Sequence, residues 1–147
     1  MRHPGLETAI AEAMAGRDEG GIPIGAVLMI DDQIVGRGHN RRVQRESPIL
    51  HAEMDALENA GRLSGRDYRR STIYTTLSPC IMCSGAILLY QIPIVVVGEN
   101  RTFVGAEDLL SSHGVTVEIV DDQRCIDLMS AFLADQPSLW NEDIGEE

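Results

Sequence analysis

With 147 residues, 44% of them hydrophobic and 24% charged, and a mean hydropathy of -0.07, the chain has the size and make-up of one globular domain, 1–147, which excludes disordered and collagen-like material. Its 12 basic residues are all Arg against 23 acids, a net charge of -11 that opposes a long polyanion, because nucleic-acid affinity rests on cations neutralising phosphates; no nucleic-acid partner is expected. The lack of Lys excludes lysine Schiff-base chemistry and a P-loop lysine.

Residues 6–17 place Leu6, Ile10, Ala13 and Met14 at helical spacing, and that helix runs out at Gly20 and Gly21. Residues 24–30 and 33–37 flank Asp31 and Asp32 and read as a β-hairpin of open register. An Arg-rich loop, 38–49, leads to a helix over about 50–60 that stops at Gly61, and a polar loop leads to a strand at 72–77. Ser78 and Pro79 then read as N-cap and first residue of the next helix. The runs 94–97 and 115–120 look like fully buried strands, with a weak helix near 106–112 between them and a clear one at 122–134 after them. The order α-β-β-α-β-α-β-α-β-α predicts an α/β fold, a three-layer α-β-α sandwich around a mixed five-stranded sheet.

Cys80, Cys83 and Cys125 make an odd count, and the opening MRHPGLETAIAEAM lacks the apolar core of a secretory signal, so a reducing, cytoplasmic setting is expected. Apolar runs such as 92–97 stop far short of the roughly 20 residues that span a bilayer, and no membrane segment is expected. Charge is uneven. Residues 37–70 hold eight Arg against five acids, and residues 107–147 hold one Arg against eleven acids. Without interleaved aromatics the basic stretch reads as solvated surface rather than an RNA contact.

The chemistry concentrates in His51-Ala52-Glu53 and Pro79-Cys80-Ile81-Met82-Cys83. Alone, each is weak: C-x-x-C also fits a redox pair, half of a structural zinc site or two ordinary buried cysteines. Together they define a site. Cysteines at i and i+3 in a first helical turn share a face, and the positive helix end favours thiolates, so both sulfurs can close on one metal with His51 as third ligand. Three such ligands point to one Zn²⁺ per chain with an open fourth position. Glu53, two residues from His51, diverges from it on a helix and falls beside the metal, where a general base belongs. Cys125 as a fourth ligand would instead close the site and make it structural; a small buried cysteine packing near Ile126 and Met129 is the other reading. His39 and His113 carry no partner motif and read as surface residues.

H-x-E followed by P-C-x-x-C is the signature of the zinc-dependent nucleobase and nucleoside deaminases. The chain resembles that cytidine/deoxycytidylate deaminase superfamily, and within it the yeast-type cytosine deaminases, through GGIPIGAVL at 20–28, GRGHN at 36–40, ALENAGRLSG at 56–65, YTTLSPCIMCSGAI at 74–87, VVGEN at 96–100, VDDQRC at 120–125 and WNEDIGE at 140–146. The resemblance implies His51, Cys80 and Cys83 as zinc ligands and Glu53 as proton shuttle. It implies Asn40 on the ring's keto edge, the Ser78 carbonyl and Asp143 near the exocyclic amine, Ala52 beside the substrate, and Phe103, Trp140 and Ile24 as walls and cover. It further implies a homodimer with the Cys80 helix near the contact, where Ile87, Leu88, Leu89 and Tyr90 exceed what one core face needs.

The implied reaction is hydrolytic deamination of a free nucleobase, cytosine to uracil and ammonia, by zinc-bound hydroxide with Glu53 moving protons. Ala52 stands where yeast-type enzymes carry glycine, Val43 where they carry a bulky aromatic, and the 30–34 turn is shorter. Loss of the aromatic leaves a related base, isocytosine or guanine, as an alternative substrate; tRNA adenosine is disfavoured by charge, and a zinc-stabilised binding module is the non-enzymatic alternative. The acidic end, 136–147, is interrupted by Pro137, Leu139, Trp140 and Ile144, which can dock, and it is expected to act as a lid.

Overall fold

A computed structural model describes residues 3–146. Its elements are α1 (Pro4–Asp18), β1 (Gly25–Ile30), β2 (Gln33–His39), α2 (Arg42–Arg45), α3 (Ala52–Ala60), α4 (Gly65–Tyr68), β3 (Ser71–Leu77), α5 (Ile81–Tyr90), β4 (Ile94–Glu99), α6 (Glu107–Ser112), β5 (Thr116–Ile119), α7 (Gln123–Asp135) and α8 (Pro137–Asp143). The strands form one mixed sheet in the order β2-β1-β3-β4-β5. β1 runs antiparallel to β2 and β3, and β3, β4 and β5 run parallel. Helices α1 and α7 cover one face and α3, α5 and α6 the other, which is the expected three-layer α/β sandwich.

Side-chain alternation along β1 divides the core. Leu28 joins Ile73, Ile87, Val95 and Leu110 under α5 and α6, whereas Val27 and Met29 join Leu6, Ile10 and Cys125 under α1 and α7. The hairpin turn puts Asp31 and Asp32 at φ 50° and 62°, the pair of positive φ values that a tight two-residue turn requires and short polar side chains tolerate. The register runs from Ile30 opposite Gln33 to Gly25 opposite His39, with a bulge between Leu28 and Met29. Gly36 and Gly38 let α3 press onto β2: a Cβ on Gly36 would meet the Ala56 carbonyl at 2.4 Å, and one on Gly38 would meet the Asp55 carboxylate at 2.5 Å.

Several expectations change. The helix expected from Ser78 begins at Ile81 with Cys80 as N-cap, because the Ser78 N–H still donates to the Glu99 carbonyl, prolonging the strand pairing, and its hydroxyl bonds to Glu107. β5 is half-exposed rather than fully buried, since it is an edge strand with one neighbour. Met14 faces the cleft between α1 and α7 instead of the core. Two short helices, α2 and α4, occupy segments read as loop. Four residues each, about one turn, are too few to leave an apolar period. His39 is buried, not superficial: its Nδ1 lies 2.8 Å from Glu12 Oε1 and its Nε2 2.8 Å from Glu19 Oε1.

Four of the eight Arg of the basic stretch are paired with acids within the fold. Arg37 pairs with Glu12, Arg41 with Asp55, Arg42 with Asp143, and Arg70 with Asp31 and Asp67. Among the described residues no helix is long and apolar enough to cross a membrane.

Candidate active site

The site lies where α3 and α5 begin. His51 is the N-cap of α3 and Cys80 that of α5, and neither side chain caps its own helix. Freed from that role, both turn toward each other, and Cys83, one turn into α5, completes the set. His51 Nδ1 lies 3.3 Å from Cys80 Sγ and 3.7 Å from Cys83 Sγ, and the three ligand atoms fall within 4.8 Å of one another. Tetrahedral Zn²⁺ with bonds of about 2.3 Å to sulfur and about 2.05 Å to nitrogen holds an S and an N about 3.5 Å apart, so the donor set fits in type and spacing. Among the described residues this is the one cluster able to hold a metal ion, and Cys125 is outside it. Cys125 is buried under α1 and against Gly98, where burial pushes its thiol up to about 12.

The second nitrogen of His51 is held as well. Nε2 lies 3.1 Å from the Asp143 backbone carbonyl and 3.2 Å from Asp143 Oδ2, so Nε2 carries the hydrogen and Nδ1 faces the sulfurs. Asp143 Oδ1 accepts from Asn40 Nδ2 at 3.0 Å and from Arg42 NH1 at 3.1 Å. Burial works to raise the Asp143 carboxyl, but His51, Asn40 and Arg42 outweigh it and hold it below the usual range. The Cys80 thiol is drawn down to about 4, chiefly by its hydrogen bond with Cys83 and further by His51. A thiolate at two converging helix N-termini is the form that ligates a metal.

Glu53 sits two residues into α3, buried, hydrogen-bonded with Cys83 and outside the ligand cluster. Burial pushes its carboxyl up to about 7, opposed by His51. A carboxyl with affinity for a proton, adjacent to a metal set but not part of it, has the properties of a proton carrier.

Ile24, Ala52, Leu77 and Ser78 form the walls of the cavity over these groups, with Phe103, Trp140, Asp143 and Ile144 above. Phe103 and Trp140 meet edge to face, ring centroids 5.7 Å apart at 83°. The space open to water-sized spheres is about 20 Å³. Asn40 is fully buried behind Asp143 rather than on the cavity wall, its Oδ1 accepting from the Arg42 N–H at 3.0 Å. Val43 lines a separate cleft between α2 and α8. Arg42 and Leu77 were not singled out by the sequence. Arg42 is one Arg among eight in its stretch, and only the chain path that brings α8 over α2 distinguishes it.

Residues 3–99 match the family described as the cytidine and deoxycytidylate deaminase zinc-binding region. The chain is 57% identical over 143 residues, 97% of its length and 95% of the relative's, to a cytosine deaminase of Candida albicans. It is 38% identical over 140 residues, 86% of each chain, to a tRNA-specific adenosine deaminase of Streptococcus pyogenes. A solved structure from studies of A-to-I editing by tRNA:A34 deaminases superposes with a TM-score of 0.74 at 25% identity, covering 86% of this chain and 99% of the other.

Proposed function

The chain belongs to the cytidine and deoxycytidylate deaminase zinc-binding family, and on that premise we propose that it hydrolyses free cytosine to uracil and ammonia. The observation that carries the reading is Glu53, buried and proton-seeking beside the His51, Cys80 and Cys83 set. The 57% identity across nearly the whole chain to a cytosine deaminase supports the choice of base.

His51, Cys80 and Cys83 would hold one Zn²⁺, and the ion would supply an activated water by lowering its pKa toward about 7. Glu53 takes a proton from that water and delivers it to the ring nitrogen beside the amine-bearing carbon. The water oxygen bonds to the amine-bearing carbon, and Glu53 passes the proton left on that oxygen to the amine as its C–N bond breaks, so cytosine and water become uracil and ammonia with no oxidant or reductant. The Ser78 carbonyl and Asp143 accept from the amine, Asn40 holds the Asp143 carboxylate in place from behind the cavity wall, and Phe103 and Trp140 cover the ring. Ile24 and Ala52 bound the ring from below.

A cavity of about 20 Å³ admits little beyond one water. A six-membered ring needs more room than that, which supports the segment 136–147 as a lid; its last residue, Glu147, lies outside the described residues. The protein acts as a homodimer in the cytoplasm. The exposed Ile81 and Leu89, 67% and 70% accessible, give α5 an apolar outer face suited to a second copy, and Leu89→Glu should yield a monomer by light scattering where the parent chain is a dimer.

The test is Glu53→Ala in the zinc-loaded protein. It should keep its metal while ammonia release from cytosine falls by at least about 10²–10⁴-fold. Undiminished release would remove Glu53 as the shuttle, and preferential release from isocytosine, guanine or tRNA adenosine in the same panel would overturn the choice of base.

A further inference from the structure

The lid is tied down from outside the cavity. Arg42, the first residue of α2, projects its guanidinium under α8. NH1 donates to Asp143 Oδ1 at 3.1 Å, NH2 lies 3.8 Å from Glu142 Oε1, and Nε donates to the Pro48 carbonyl at 3.2 Å. The side chain is only 13% exposed and that of Asp143 3%, so this pair is poorly screened by solvent, whereas Glu142 stands 69% exposed. The Arg42 backbone N–H also holds Asn40 Oδ1, and Asn40 Nδ2 reaches the same Asp143 oxygen. One residue thus fixes the amide, the carboxylate and the lid helix at once. The planar fork matters: three donors leave in three directions, to the lid, to the adjacent acid and to the loop carbonyl, which a single ammonium cannot reproduce.

From this arrangement we propose that Arg42 is a positioning residue, the latch that seats α8 over the cavity and sets the orientation of Asp143. It acts through Asp143 and Asn40 and does not line the cavity. It also borders the cleft with Ile22, Val43 and Leu139, about 390 Å³. The assignment of what the lid covers rests on the proposed deaminase reading. The latch itself does not.

The chain has one tryptophan, and it is in the lid. Quenching of Trp140 fluorescence by acrylamide therefore reports lid seating without any substrate. Zinc-loaded Arg42→Gln and Arg42→Lys should be compared with the parent protein and with Arg45→Gln, an exposed Arg on the same short helix. Expected are a higher quenching constant for Arg42→Gln, an intermediate one for Arg42→Lys, and no change for Arg45→Gln. The KM for cytosine should rise about 10- to 100-fold in Arg42→Gln, the range of one hydrogen bond to a charged partner, with kcat falling less. If Arg42→Gln does not fold, Arg42→Lys, which keeps the charge and loses the fork, decides by the same readings. Quenching unchanged in both Arg42 variants, or raised equally by Arg45→Gln, overturns the latch. Altered quenching in a protein that deaminates no base would leave the latch standing and sink the proposed reaction instead.

Discussion

His51 and Asp143 stand 92 residues apart in the chain and meet at two points, the imidazole Nε2 against both the backbone carbonyl and the carboxylate of Asp143. Helix α8 thereby supplies the group that orients a metal ligand. The seating of α8 and the metal geometry are coupled through one ring, because the hydrogen bond at Nε2 determines which nitrogen is free for the metal.

Asp143→Asn should weaken zinc binding by roughly 10-fold, the low end of what outer-shell partners contribute, because the backbone carbonyl keeps its contact with Nε2. Competition with a chromogenic chelator reads this directly. Affinity equal to that of the parent protein would show that the carboxylate does not orient His51.

Cys125→Ala should retain one zinc per chain. Its sulfur is buried among Leu6, Ala9 and Val27, away from the ligand cluster, so the variant loses packing alone, about 1 kcal/mol by thermal melting. Loss of the metal on elemental analysis would mean a closed structural site.

Stability should fall in acid through the α1 acids. Burial acts to raise the Glu12 carboxyl, but His39 and Arg37 outweigh it and hold it below 4.5; Glu19 is likewise lowered, first by its hydrogen bond with His39. A depressed carboxyl favours the folded state above its unfolded value of 4.5, and that contribution is lost as pH falls through the lower folded value. Melting temperatures measured from neutral pH to below pH 4.5 should therefore decline in the parent and decline less in His39→Gln. Parallel curves would remove His39 as the link.

Truncation after Gln136 removes Trp140 and Asp143 but no zinc ligand and little of the sheet core. The far-ultraviolet spectrum should be kept and zinc still bound, though more weakly than in Asp143→Asn because both contacts to His51 Nε2 are gone, while ammonia release from cytosine drops by orders of magnitude, the roof and its carboxylate being gone. An unchanged rate would show that the segment is no lid.

The local pattern of residues determined a great deal. Alternation and helical spacing placed the α/β order, since strands and helices of this length bury one face and so leave a period in the chain. H-x-E and C-x-x-C disclosed the zinc set because ligand chemistry demands those side chains, and i, i+3 spacing puts two of them on one turn. That the acidic end docks was legible too, in the apolar residues among its acids, and α8 buries Trp140 there. What tertiary structure alone decided is which charged groups meet. His39 looked superficial until α1 brought Glu12 and Glu19 against it, and Arg42 matched its seven neighbours in kind until α8 crossed over α2. Ser78 lost its cap because strand pairing with β4 claimed its backbone first. A long-range ion pair leaves no period and no motif: either partner serves equally well as solvated surface, and only the path of the chain brings the two within reach.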